Sequence, residues 1–203
     1  MKKLLEHEGT AKFIGVSFLV GSLFVSLTGC ADNNATADPG PSEVTASATA
    51  EPTVEADETE FPGRFLSAVE GDTVEVQPIS PQNGDPVGKP LVVKMLGIDA
   101  PALGECGGEE AKAELERIIK ADDPVLVKYD EEANRTDEDG NAQAYVSSGP
   151  TDLGSRMVRA GYANAWYPSS EAEPKSFANY KVTADAAKTQ GQGAWATCDT
   201  VGR

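Results

Sequence analysis

Beyond residue 60 the chain alternates short apolar segments with polar punctuation, the pattern of strands joined by turns. Phe65-Leu66-Ser67-Ala68-Val69 and Thr73-Val74-Glu75-Val76 predict two strands flanking a Glu70-Gly71-Asp72 turn. Ser80 to Pro90 is a loop punctuated by proline and glycine, and Leu91 to Ile98 predicts a third strand. From Glu109 to Lys120 the period changes: Ala111, Leu115, Ile118 and Ile119 fall on one stripe with Glu and Lys outward, which predicts a helix. Pro124 to Tyr129 and Gln143 to Val146 predict strands four and five. A second helix, capped by Thr151 or Asp152, carries Leu153, Met157 and Val158, and a third runs from about Glu171 to Lys188 with Phe177, Tyr180 and Ala184 inward. Five short strands with helices inserted and appended fit a small closed antiparallel barrel in an α+β domain over 61–203.

The first sixty residues follow neither pattern. A weakly basic start leads into an apolar run of about fifteen residues from Phe13 to Leu27, too short for a comfortable membrane span and suited to the core of a secretory signal. It ends in Leu27-Thr28-Gly29-Cys30. That order resembles the bacterial lipobox and implies a lipoprotein signal peptide over 1–30. Cys30 would be the lipid-modified first residue of the mature protein, held at the outer face of the cell membrane. A plain signal peptide or an anchor helix is the alternative. From Ala31 to Glu60 there is no aromatic residue, Leu, Ile or Met, and eight acids stand against no base. Such a stretch cannot bury enough apolar area to offset ordering, so 31–60 is expected to be a disordered acidic tether spanning roughly 30 Å.

Charge and composition narrow the chemistry. The 203 residues are 39% hydrophobic with a net charge of −16, and residues 61–203 hold 14 bases against 23 acids. That balance disfavours a generic nucleic-acid binder, which carries a basic face. The single histidine, His7, lies in the signal segment, so the domain has no imidazole for a Ser/His/Asp triad, a Cys/His pair or a His-based zinc site. With Cys30 assigned to lipid, Cys106 and Cys198 form an even pair in an oxidising compartment; a disulfide would tie the chain end back to the loop after strand three. Two buried free thiols are the alternative.

Several motifs in series then carry a resemblance. Gly71-Asp72-Thr73-Val74, Leu96-Gly97-Ile98-Asp99-Ala100-Pro101, Asn134-Arg135-Thr136-Asp137-Glu138-Asp139-Gly140 with Ala144-Tyr145, Met157 to Ala163, and Gly193-Ala194-Trp195 occur in the order and spacing of the staphylococcal nuclease (thermonuclease) family. The match covers about residues 64–198. The resemblance implies a five-stranded OB-fold barrel with about three helices, and calcium-dependent cleavage of DNA and RNA phosphodiester bonds. Such chemistry needs a cation on the phosphate, a base to activate water, and cationic donors for the charge that develops in the transition state.

Carried over residue by residue, the family's calcium carboxylates fall on Asp72 and Asp99, with the backbone carbonyl of Ala100 as a further oxygen ligand. The first catalytic arginine falls on Lys94, which keeps the charge but loses the bidentate fork. The general base falls on Ala102, which accepts no proton, and the second arginine on Asn141. Two ligand positions fall on Glu138 and Asp139, which repel phosphate, while Tyr167 matches a ligand-contact tyrosine. Three functional readings follow. One is a tethered, catalytically degenerate module that binds a protein or envelope component. A second is an active nuclease with displaced groups, using Glu105, Glu109 or Glu110 as base and Lys94 and Arg135 as donors. The third is a structural envelope lipoprotein.

Overall fold

The computed structural model describes residues 59–203. The signal-peptide and Cys30 lipidation readings, and the tether up to residue 58, lie outside the described residues. The tether's last expected residue does not: Glu60 opens the first strand, paired with Lys128, and the Thr59 carbonyl accepts a hydrogen bond from the Tyr129 N–H at 2.8 Å.

Strand β1 (Glu60–Ala68) pairs antiparallel with β2 (Thr73–Pro78), and β2 with β3 (Leu91–Met95). Strand β5 (Pro124–Lys128) pairs with β1 on its other side and with β6 (Ala142–Ser148), and β6 returns to β3 in parallel register, Lys94 facing Gln143. That last pairing closes β1, β2, β3, β5 and β6 into the expected five-stranded barrel. The alternation of the sequence becomes its inside and outside. Phe65, Val74, Val76, Val93, Val127 and Val146 point inward and are fully or almost fully buried. Gly63 lets β1 and β2 approach closely, since a Cβ there would lie 2.4 Å from a Val76 methyl.

The strand expected over 91–98 is divided. Gly97 adopts φ +83°, a conformation glycine alone enters freely, and turns the chain so that Ile98–Asp99 forms a separate two-residue strand, β4. It pairs with β8 (Asn164–Ala165), outside the barrel sheet. This break carries Asp99 away from β3 and toward the later chain.

Three helices cover the barrel. The stripe Ala111, Leu115 and Ile119 of α1 (Gly108–Ile118) and its C-cap is buried as expected. A short hairpin between β6 and β7 (Thr151–Asp152) leads into α2 (Leu153–Ala160). There the Asp152 carboxylate accepts from the Ser155 N–H, and Leu153, Met157 and Val158 face the core. Helix α3 (Phe177–Thr189) starts six residues later than the sequence predicts. Pro174 disfavours helical geometry at Glu173, so 171–174 is irregular and a turn at 175–176 leads into the helix. Tyr180, Ala184 and Ala187 are buried, whereas Phe177 is only half-buried and packs edge-on against Tyr167 at 4.6 Å. Asp130 joins α3 to the barrel by accepting from Glu132 N–H, Lys175 N–H and the Tyr145 hydroxyl. Burial alone would raise its pKa, but these donors and the Lys175 charge hold it below the usual carboxylate range.

The chain then passes through a 3-10 turn (Gly193–Ala196) into a second small core of Ala194, Cys198 and Val201. Cys198 is bonded to Cys106, the pairing anticipated from the cysteine count, with Cα atoms 5.8 Å apart. The closed loop spans a sequence separation of 92 residues. By the loop-entropy argument such a bridge stabilises by about 4 kcal/mol. Thermal melting under reductant, or of Cys106→Ser/Cys198→Ser, is expected to show a lower Tm than the oxidised protein; an unchanged Tm contradicts a structural role for the bridge.

Candidate functional site

The site is assembled where β2, β3, β4 and the last residues meet. Asp72 follows Gly71 in the β1–β2 turn, and this glycine is required by packing. A Cβ there would come within 2.6 Å of the Ala111 methyl on α1 and 2.9 Å of the Ala100 methyl. Asp72 is completely buried. Its Oδ1 accepts from the Thr73 hydroxyl at 2.8 Å, and its Oδ2 accepts from Lys94 Nζ and from the Ala100 N–H, each at 2.9 Å. The register of β2 against β3 places Lys94 opposite Thr73, which is why its ammonium reaches the neighbouring carboxylate. The same ammonium lies 3.8 Å from Asp99 Oδ1. Burial alone would lower the Lys94 pKa, but Asp72, Asp99 and Glu70 more than offset it, so the group stays above its ordinary value and charged.

Asp99 has a second cation. Arg203 Nη2 donates to Asp99 Oδ1 at 2.8 Å, while its backbone N–H and Nε donate to Oδ2 at 2.8 and 3.4 Å. Its guanidinium also lies 3.9 Å above the Trp166 ring, and its carbonyl accepts from Asn164 Nδ2 at 2.8 Å. The hydrogen bond to Asp99, against a smaller opposing effect of burial, raises the Arg203 pKa further. Gly202, at φ +63°, makes this approach feasible: a Cβ there would lie 2.2 Å from the Asp99 carbonyl oxygen. The last residues are therefore held by the disulfide at Cys198, the buried Val201 and the Asp99–Arg203–Trp166 arrangement.

These groups bound a cleft of about 630 Å³, lined among others by Glu70, Lys94, Asp99, Ala102, Glu105 and Arg203. Counting Asp72 beneath it, four carboxylates face two cations. Ala102 presents a methyl group. Glu105 folds back so that its Oε2 accepts from the Ala102 N–H at 3.0 Å. Among the described residues no group of three or more His, Cys, Asp or Glu side chains is positioned to hold a metal ion.

Of the residues singled out in the sequence, the structure brings together Asp72, Asp99, Ala100, Lys94, Ala102 and Glu105, with the Cys106–Cys198 bridge at the rim. Five others, Arg135, Asn141, Tyr167, Glu109 and Glu110, do not line this cleft. Arg135 lies 5.1 Å from the Tyr129 ring centroid, its carbonyl accepting from the Gln143 N–H. Asn141 is bonded through its N–H and side-chain amide to Asp137. Tyr167 donates to Glu173 at 3.3 Å, beside Phe177. Glu109 and Glu110 stand in the first turn of α1, away from the lining. Sequence reasoning missed Arg203, Trp166 and Glu70. A signal for Arg203 existed: a bridge from Cys198 to the loop after strand three brings the following five residues within reach of Asp99.

A buried carboxylate that loses its partner is costly, by roughly 3 kcal/mol or more. Lys94→Met is expected to lower the unfolding free energy by about that amount in urea titration, and Asp72→Asn in the same chain to restore part of it. A Lys94→Met protein as stable as the parent contradicts the pairing.

A family model described as "staphylococcal nuclease homologue" matches residues 92–197. The range begins at β3, so it includes Lys94, Asp99, Ala100 and Ala102, and leaves Asp72 and Arg203 outside. A search of curated proteins found no match. With more than half of its length matched, and a closed five-stranded barrel carrying three helices, the chain belongs to the staphylococcal nuclease homologue family.

Proposed function

We propose that this protein is a nuclease-fold binding module, tethered outside the cytoplasm through lipidated Cys30, that has not kept the family's calcium-dependent phosphodiester cleavage. The observation that carries this reading is the occupation of both metal-type carboxylates by the chain's own cations. Lys94 lies 2.9 Å from Asp72 and 3.8 Å from Asp99, and Arg203 binds Asp99 from the other side. Calcium takes six to eight oxygen ligands. Here two carboxylates already bonded to cations and one carbonyl, that of Ala100, stand in its place, so the donor set as folded does not fit a resident Ca²⁺.

The remaining groups support the same reading. Ala102 accepts no proton where the family resemblance calls for a base. Asn141 lies away from the cleft and carries no charge. The excess of carboxylates around the cleft repels a polyanion, so the partner this surface favours is a protein or envelope component rather than DNA or RNA. The competing reading, an active nuclease with displaced groups, gains Glu105, which lines the cleft as Lys94 does. It loses Arg135, which does not line the cleft.

Cleavage of single-stranded DNA by the full chain, with and without Ca²⁺, beside an Asp72→Ala/Asp99→Ala control, tests the proposal. No activity above the control is expected. Ca²⁺-stimulated cleavage that the control lacks would overturn it and direct attention to Glu105.

A further inference from the structure

A second concavity, of about 610 Å³, lies on another face of the domain, between α1 and α2. It shares no lining residue with the cleft. Three arginines line it, Arg117 from the last turn of α1 and Arg156 and Arg159 from α2, together with Glu114, Asp152 and the hydroxyl residues Thr151 and Ser155. Its acceptors and donors are out of balance. Glu114 is fully engaged by Arg117, whose Nε and Nη2 each donate to it at 2.7 Å. Asp152 caps α2 through the Ser155 N–H at 2.6 Å and accepts from the Tyr180 hydroxyl at 2.9 Å. Both carboxylates are thereby committed to structural bonds.

The donors are not. Arg156 and Arg159 have no hydrogen-bond, ion-pair or aromatic partner among the described residues, and neither do the Thr151 and Ser155 hydroxyls. In a domain with 23 acids against 14 bases, two adjacent cations without a carboxylate are unexpected. They stand at i and i+3 on one helix, where like charges repel and cost a few tenths of a kcal/mol. The opposite side of the same helix is fixed in the core through Leu153, Met157 and Val158, so both arginines leave the helix on its outward face. A groove whose acceptors are satisfied, and whose planar guanidinium forks and hydroxyls are not, is chemically matched to a compact oxyanion.

We propose that this groove binds a phosphate group, with Arg156 and Arg159 as bidentate donors and the Thr151 and Ser155 hydroxyls as neutral ones. The site stands apart from the cleft and does not depend on the reading given for it. The phosphate has two chemical sources: a free phosphate or phosphate monoester, or the phosphodiester headgroup of a lipid.

Isothermal titration of the full chain in nonionic detergent tests this with two soluble probes, inorganic phosphate and glycerophosphoglycerol. Three proteins are compared: the parent, Arg156→Gln/Arg159→Gln, and the equal-charge control Lys89→Gln/Lys112→Gln. Glutamine keeps helix propensity, and an unchanged melting temperature verifies the fold of each variant. Saturable binding of at least one probe is expected, at least about tenfold weaker in the arginine variant and unchanged in the lysine control. Tighter binding of inorganic phosphate assigns the free source, and tighter binding of glycerophosphoglycerol the headgroup. Binding of neither probe by the parent overturns the proposal. So does equal affinity in parent and arginine variant, or equal weakening in both variants, which would leave only net charge at work.

Discussion

The buried carboxylate of Asp72 is the constraint from which the site grows. A charge with no solvent access must be matched within the fold, and Asp72 is matched three times: by the Thr73 hydroxyl, by the Ala100 N–H and by Lys94. These partners come from β2, from the end of β4 and from β3, so one carboxylate fixes the relative placement of three chain segments. A single ammonium cannot fully serve two carboxylates, and Asp99 lies at 3.8 Å from the same Nζ. The second cation is Arg203, and bringing it there sets demands on the residues before it. Gly202 must pass against the Asp99 backbone, Val201 must be buried, and the bridge at Cys198 must hold the approach. The end of the domain is in this sense part of the site.

Local properties of the fold are legible in the sequence, and tertiary ones are not. Alternation over 65–69 and 73–76 and the stripe Ala111, Leu115, Ile119 express burial on one face, a local property, and the strands and helix they predict are present. Motifs spaced along the chain carried the family, and the even cysteine pair carried the disulfide. Asp72, Asp99 and Lys94 were singled out and do meet. The failures are tertiary or involve backbone that composition does not reveal. The third strand breaks at Gly97 because β4 is needed by β8, and α3 starts late because Pro174 constrains Glu173. Arg203 and Trp166 meet only after the chain has folded, 37 residues apart in numbering, and no periodicity links them. The place of Arg135 in a motif marks it as a donor, yet its loop directs it to Tyr129.

A conserved architecture is a weak guide to chemistry, because function resides in the particular side chains mounted on a fold. This chain has the barrel of its family and carries both carboxylates that the resemblance assigns to metal. Lys94 and Arg203 are paired with them, and an alanine, Ala102, stands where the resemblance implies a base. Two concavities of the described domain are chemically opposite: a cleft with an excess of carboxylates, and a groove between α1 and α2 with unengaged guanidinium groups.

The carboxylates of the cleft are held by the chain's own cations. Calorimetric titration of Ca²⁺ into the full chain, compared with Asp72→Asn/Asp99→Asn, tests this most directly, since the comparison subtracts any weak binding by acidic residues elsewhere. The same heat is expected in both proteins. A stoichiometric, saturable site present in the parent and lost in the variant would contradict it, and would mean that Lys94 and Arg203 yield their places to the metal.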